Sequence, residues 1–502
     1  MTTVKTQYGT VQGFQEDGLV KWFGIPFAKP PIDELRFRRA QPCEKWQDTK
    51  LCHKFGNKPF QFYPFEVGEI PEAYRIIPES EDCLTLNIWR PDHEQKKLPV
   101  IVWIYGGAFT VGESSDATYD GSSFAANDVM YVSFNYRLGP LGFYDFSQYD
   151  AENFDSNCGL SDQIMALKWI KANIEAFGGD PDNITIFGSS AGGASVCHLV
   201  AAPETKGLFQ KAIAQSAVPD FGLSKTSRKH NADLLLEQLE LTPDTIGNLL
   251  DMDLTAIIKA NTFVHINGFR KYPGMYQPGP VLDDLLPEAP ADIIAKGKAS
   301  DIKLIIGTNR DEGNLFVSQK SVFPYTWEMV EAMFKATHRE ADLPRLVDLY
   351  AKTESPEERL NQFNRDRAFS IPSIKIADAQ SQFNDVWMYR FDYAPAALAK
   401  SGLNATHGCE GPIALNTLKS VGTLSMMWHG TPEDETQQLI QEMHTAWINF
   451  AKYGDPNGSL PIKWEKYNQD NRKTLIFDSE THLEADPEKE HFEVWCNIKL
   501  YD

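Results

Sequence analysis

With 502 residues, 42% of them hydrophobic, and 11 Trp, 18 Tyr and 30 Phe, the chain can bury a large core; length alone allows about three domains of roughly 150 residues. Acidic side chains outnumber basic ones by 69 to 48, a formal charge of −21, and a field of that sign repels phosphate backbones and anionic membranes, which argues against a nucleic-acid partner. The seven cysteines (Cys43, Cys52, Cys83, Cys158, Cys197, Cys409 and Cys496) are scattered without a CxxC pair, so no zinc or redox motif is expected and reduced thiols in the cytoplasm fit best.

Met1–Gln7 carries no charged-then-apolar leader, so no secretory signal is expected. Tyr8–Gly13 and Val20–Ile25 read as short strands around turns, an N-terminal hairpin. Pro26, Pro30 and Pro31 then force irregular chain. Val100–Ile104 is a near-continuous β-branched run, as in a strand buried on both faces. Its apolar surroundings, Leu98–Tyr105, fall far short of the roughly 18 residues of a membrane span. Val129–Asn135 is a second such strand. Asp162–Phe177 places Ile164, Leu167, Ile170 and Ile174 at helical spacing.

Asn183–Gly188 is a third strand, and Ala191–Ala201 the helix behind it. Lys211–Gln215, Lys303–Gly307 and Val386–Phe391 are further strands, and Glu433–Tyr453 a long late helix. This alternation predicts an α/β architecture, a central, mostly parallel twisted sheet with helices on both faces. Over about 222–300 and 323–381 helices come without clear strands. No flexible linker bounds these stretches, so they are read as helical insertions capping the sheet within one domain of residues 1–502.

The turn Gly188-Ser189-Ser190-Ala191-Gly192 is a GxSxG match that directly follows a strand and precedes a helix, the setting of a nucleophile elbow. The turn strains the serine backbone, and the flanking glycines let strand and helix approach closely. The Ala191 N–H then lies at the positive end of the helix, where an oxyanion is stabilised.

A serine hydroxyl needs a base and an orienting acid. Of the eleven histidines, His407 stands in a loop after the strand Val386–Phe391, near the sheet edge where active-site groups gather. His198 and His444 lie in helices and read as core packing. For the acid, Asp311 and Glu312 both follow the strand Lys303–Gly307. The order serine, acid, histidine is that of α/β-hydrolases. Gly106-Gly107-Ala108, after Val100–Ile104, can turn the amides of Gly107 and Ala108 toward that of Ala191 as an oxyanion hole.

With these pieces in place the chain resembles the type-B carboxylesterase family, and among its members most resembles the bacterial para-nitrobenzyl esterases. The resemblance runs nearly end to end. It is carried by Phe23–Pro31, Leu35–Phe37, Ser80–Asn87, Asn135–Phe143, Ala176–Pro181, the elbow, Gln215-Ser216 and Asp311-Glu312-Gly313. It implies an α/β-hydrolase fold and a catalytic set of Ser190, Glu312 and His407, favouring Glu312 over Asp311. It also implies oxyanion donors at Gly107, Ala108 and Ala191, with Ser216 a supporting hydroxyl behind the set.

Three departures bear on specificity. The family usually carries Glu before the nucleophile; Ser189 stands there instead and removes a negative charge from the pocket. Cys83 matches a disulfide cysteine of secreted members, but its partner position holds Pro59, so a free, buried thiol is expected. The segment 59–82 has no Trp of the kind that binds choline in cholinesterases. Phe60, Phe62, Tyr63 and Phe65 still make it aromatic, able to line a gorge mouth or to pack under a loop.

The expected reaction is two-step acyl transfer on a small-molecule carboxylic ester, with no metal or cofactor and no membrane partner, by a monomer. Its rate should fall below about pH 6 if His407 keeps an ordinary pKa near 6.5. A lipase, or an amide or carbamate hydrolase, could use the same residues; so, remotely, could a non-catalytic binding protein use the same fold. Phe316, just after Glu312, is a candidate wall of the acyl side or a core residue.

Overall fold

The structure, a computed structural model, describes residues 2–61, 77–221, 223–271, 278–320, 323–420, 422–498 and 500. Its strands in chain order are β1 (Thr3–Lys5), β2 (Thr10–Gln12), β3 (Phe14–Glu16), β4 (Leu19–Pro26), β5 (Lys50–Leu51), β6 (Thr85–Pro91) and β7 (Leu98–Ile104). There follow β8 (Met130–Phe134), β9 (Gly179–Ser189), β10 (Lys211–Gln215), β11 (Lys303–Asn309), β12 (Val386–Phe391), β13 (Lys473–Phe477) and β14 (His482–Ala485). Among the described residues they form an 11-stranded sheet in the order β14-β13-β12-β11-β10-β9-β7-β8-β6-β4-β3, and a 3-stranded sheet β1-β2-β5.

The middle of the large sheet, β13 through β8, is parallel throughout. Antiparallel strands close both edges. The parallel strands are the apolar runs of the sequence, and every residue of β8 and β10 is buried. Helices pack on both faces, with Ala191–Ala201 against β9 and β10 and Glu433–Tyr453 against β7 and β9. Between β10 and β11, and between β11 and β12, the described residues form helices and no strands, from Lys225–Gln238 to Pro290–Ala295 and from Trp327–Ala336 to Ile371–Gln380.

The N-terminal hairpin differs from the expectation. β4 pairs with β3, not with β2, which joins the small sheet instead. Asp17 and Gly18 decide this: both have positive φ, 51° and 75°, the two-residue turn whose twist matches that of the flanking strands. In a parallel sheet all strands end on one edge. The C-terminal ends of β7, β9 and β11 and the loop after β12 therefore bring Gly106, Ser190, Glu312 and His407 to that edge.

Candidate active site

Ser190 sits between β9 and the helix Ala191–Ala201 with φ 60° and ψ −124°, a conformation that costs about 1–3 kcal/mol unless its surroundings impose it. They do. Its N–H donates to Gln215 O of β10 at 3.0 Å and its C=O accepts from Ala194 N at 2.8 Å. A Cβ on Gly192 would lie 2.0 Å from Ile104 O, so strand and helix close on each other only with glycine there.

His407 receives this serine. Its Nε2 is 2.7 Å from Ser190 Oγ and its Nδ1 is 2.6 Å from Glu312 Oε2. Glu312 is fully buried, and its other oxygen accepts from Asn309 N at 2.8 Å. Asp311 does other work: it exchanges hydrogen bonds with the backbone of Ala405, pinning the loop that carries His407. Burial alone would push His407 down, but the charge of Glu312, its hydrogen bond and the nearby Glu410 outweigh that and hold the imidazolium above its usual range.

The loop after β7 runs through three successive positive φ values, 115° at Gly107, 54° at Ala108 and 59° at Phe109. The Gly107 carbonyl is turned away from the elbow to accept from Thr110 N and Val111 N. Among the described residues nothing accepts from the N–H groups of Gly107, Ala108 or Ala191. A Cβ on Gly106 would lie 3.0 Å from Ser190 Cβ, which shows how closely this loop meets the turn at Ser190. Ser189, the last residue of β9, is half-buried beside it.

Sequence reasoning missed Glu410, three residues after His407. It is fully buried, accepts from Asn309 Nδ2 at 2.7 Å, and takes the Ser216 hydroxyl at 3.2 Å. Ser216 thus reaches the set through Glu410. Burial, and then the charge of Glu312, push the Glu410 carboxyl up. The signal available was a carboxylate one helical turn from the histidine, in a loop with no other acid. The His407 ring is also flanked by Phe316 and Phe369, with centroids at 5.2 and 4.9 Å; Phe323 packs on both.

The profile of the carboxylesterase family matches residues 1–495. The chain belongs to that family. It is 40% identical over 501 residues to the para-nitrobenzyl esterase of Bacillus subtilis (strain 168), covering 97% of each chain. It is 32% identical over 490 residues to the phenmedipham hydrolase of Pseudarthrobacter oxydans, covering 95% of this chain and 94% of that one. Among solved structures it resembles a thermophilic PNB esterase, with TM-score 0.88, 38% identity and coverage of 98% and 99%. A Geobacillus stearothermophilus carboxylesterase follows at TM-score 0.83 and 33% identity, covering 99% and 100%.

The fold is accordingly that of the α/β-hydrolases, and the chain is a serine carboxylesterase, a carboxylic-ester hydrolase. The carboxylesterase keeps its other two weighed histidines in the interior. His198 Nε2 donates to Pro219 O at 2.9 Å, and His444 lies between Ser123 and Ala414. All seven cysteines are free thiols, and Cys83 is wholly buried. No described helix is long and apolar enough to cross a membrane. Phe60 packs against a hydrophobic cluster with Phe37 and Leu250, whereas Phe62, Tyr63 and Phe65 lie outside the described residues.

Proposed function

We propose that Ser190 is the nucleophile, His407 the general base and Glu312 the acid that orients and charges it, with the amides of Gly107, Ala108 and Ala191 as oxyanion donors. The observation that carries this reading is the unbroken chain Ser190 Oγ–His407 Nε2 and His407 Nδ1–Glu312 Oε2 at 2.7 and 2.6 Å. A carboxylate can only accept, so Nδ1 carries the proton and Nε2 presents its lone pair to the hydroxyl. Oγ attacks the ester carbonyl as Nε2 takes its proton. The carbonyl oxygen becomes an anion facing the three amides, each worth about 3–4 kcal/mol in comparable sites. His407 then returns the proton to the leaving alcohol, and water repeats the sequence on the acyl-enzyme.

The substrates in this reading are small, uncharged esters, and esters of aromatic alcohols above all. Phe316 and Phe369 beside His407 supply flat apolar surface, and Ser189 contributes no charge to attract a cation. Every group named comes from one chain, so a monomer is sufficient. The free thiols suit a reducing, cytoplasmic setting. An apolar core from Val4 to Leu500 takes in Leu285 and Ile293 of the first insertion and Val330 and Met333 of the second, which supports treating the sheet and its helical caps as one catalytic unit, while Leu235 and Ile257 of the first insertion pack in a second cluster. The test is a panel of 4-nitrophenyl esters of increasing acyl length, run beside Ser190→Ala. The substitution should lower kcat by about 10⁴-fold or more with folding unchanged. Near-wild-type turnover in Ser190→Ala would overturn the assignment.

A further inference from the structure

A second serine–histidine pair lies outside this site. Ser123, in the short helix Ser122–Ala126, and His444, in Glu433–Tyr453, meet with Oγ 2.9 Å from Nε2. His444 Nδ1 lies 2.8 Å from Ala414 O. A carbonyl oxygen can only accept, so the neutral ring holds its proton on Nδ1 and turns a lone pair on Nε2 toward Ser123. The ring is buried, edge-on to Phe124 at 4.6 Å. Burial pushes His444 down to about 4 against the opposing Ala414 hydrogen bond, which keeps it a free base. The Ser123 hydroxyl therefore donates to the histidine.

The same oxygen accepts from Asn416 Nδ2 at 2.8 Å, which orients the hydroxyl and favours loss of its proton to His444. Ser123 is half-buried and Asn416 is exposed. Asn416, with Ser114, Thr417 and Gln437, lines an open cleft of about 870 Å³. The hydroxyl thus has a base and a second partner that orients it, on a half-buried residue whose neighbour Asn416 lines the cleft. What it lacks is a carboxylate. The Ala414 carbonyl fixes the tautomer but lends no full charge to an imidazolium, and losing that charge in a triad costs about 10⁴ in rate.

We propose that Ser123 is a second, slow acyl acceptor, modified once by activated esters, with His444 as its base. Oγ attacks the carbonyl carbon as its proton moves to His444 Nε2. The bond to the leaving nitrophenolate breaks, and the proton passes from His444 to solvent. The product is a Ser123 ester that accumulates, because the weak base deacylates it poorly.

Ser190→Ala, which silences the main site, is incubated with excess 4-nitrophenyl acetate and read by intact mass and peptide mapping. The expected result is one acetyl group on Ser123, absent in Ser190→Ala/Ser123→Ala, while Ser123→Ala alone leaves ester turnover unchanged. In the Ser190→Ala background, His444→Gln and Asn416→Ala should each slow this acylation at least about tenfold. Asn416 is exposed, so its variant keeps the test sound if His444→Gln does not fold. No adduct at Ser123, an adduct no faster than at other surface hydroxyls, or a rate indifferent to Asn416 would overturn the proposal.

Discussion

At the scale of single residues, the proposed mechanism makes the proton on His407 govern the pH profile. Catalysis needs the free base, and Glu312 makes the charged ring more stable than in water. The acid limb of kcat/KM should therefore lie above about 6.5, higher than an unperturbed imidazole would place it. Activity falls as pH drops through that raised value. Glu312→Gln removes the charge that raises it, so the limb should move to lower pH while kcat falls about 10³–10⁴-fold. Stopped-flow profiles of both proteins decide the matter; an unmoved limb would mean that the titrating group is not His407. The sequence singled out Ser190 because it directly follows a strand, and His407 because it lies in a loop beyond another strand, on the side where parallel strands end. Its local pattern left Asp311 and Glu312 open, because neighbouring carboxylates in a turn differ only in where they point, and only the family resemblance favoured Glu312. Glu410 went unassigned because its importance comes from burial against Asn309 and Ser216, contacts made across three loops.

At the scale of elements, the segment Asn135–Phe143 meets the loop after β7, where Gly139 N donates to Phe109 O at 2.7 Å, and is anchored by one buried ion pair. Arg137 Nε and Nη2 donate to Asp162 Oδ2 and Oδ1 at 2.9 and 2.7 Å. Asp162→Asn leaves the guanidinium charged and buried, which should cost about 3–5 kcal/mol in urea unfolding; a loss under about 1 kcal/mol would show that water reaches it. Elements buried on both faces, such as β7, β8 and β10, were legible because their apolar runs suit nothing else. β13 and β14 were not: β13 is five residues with a single short apolar run, set among polar turns, and β14 is a four-residue, part-exposed edge strand. The hairpin register depended on Asp17-Gly18, a turn signal easily passed over between longer apolar runs. The π-helical turn Asp366–Ser370, which carries Phe369 to His407, has no local signature. It is held by contacts from Tyr350 and His491 to Asp366, distant in the chain.

At the scale of the molecule, the formal charge of −21 should be felt by substrates before they arrive. For a 4-nitrophenyl ester with a free carboxylate on its acyl chain, kcat/KM should rise about two- to threefold between 10 and 200 mM salt, as the Debye length shrinks from about 30 to 7 Å. A neutral ester of the same length should show no change. Equal salt responses from the two would place the acidic residues too far from the entrance to matter. One further consequence follows from the 217 positions that separate Ser190 from His407. On the ribosome the strained serine emerges with its elbow long before its base exists, and it stays inert until the loop after β12 has been made and docked. On the proposed mechanism a half-made chain therefore cannot turn over esters, and recovery of activity on refolding reports the docking of the loop after β12 onto the elbow.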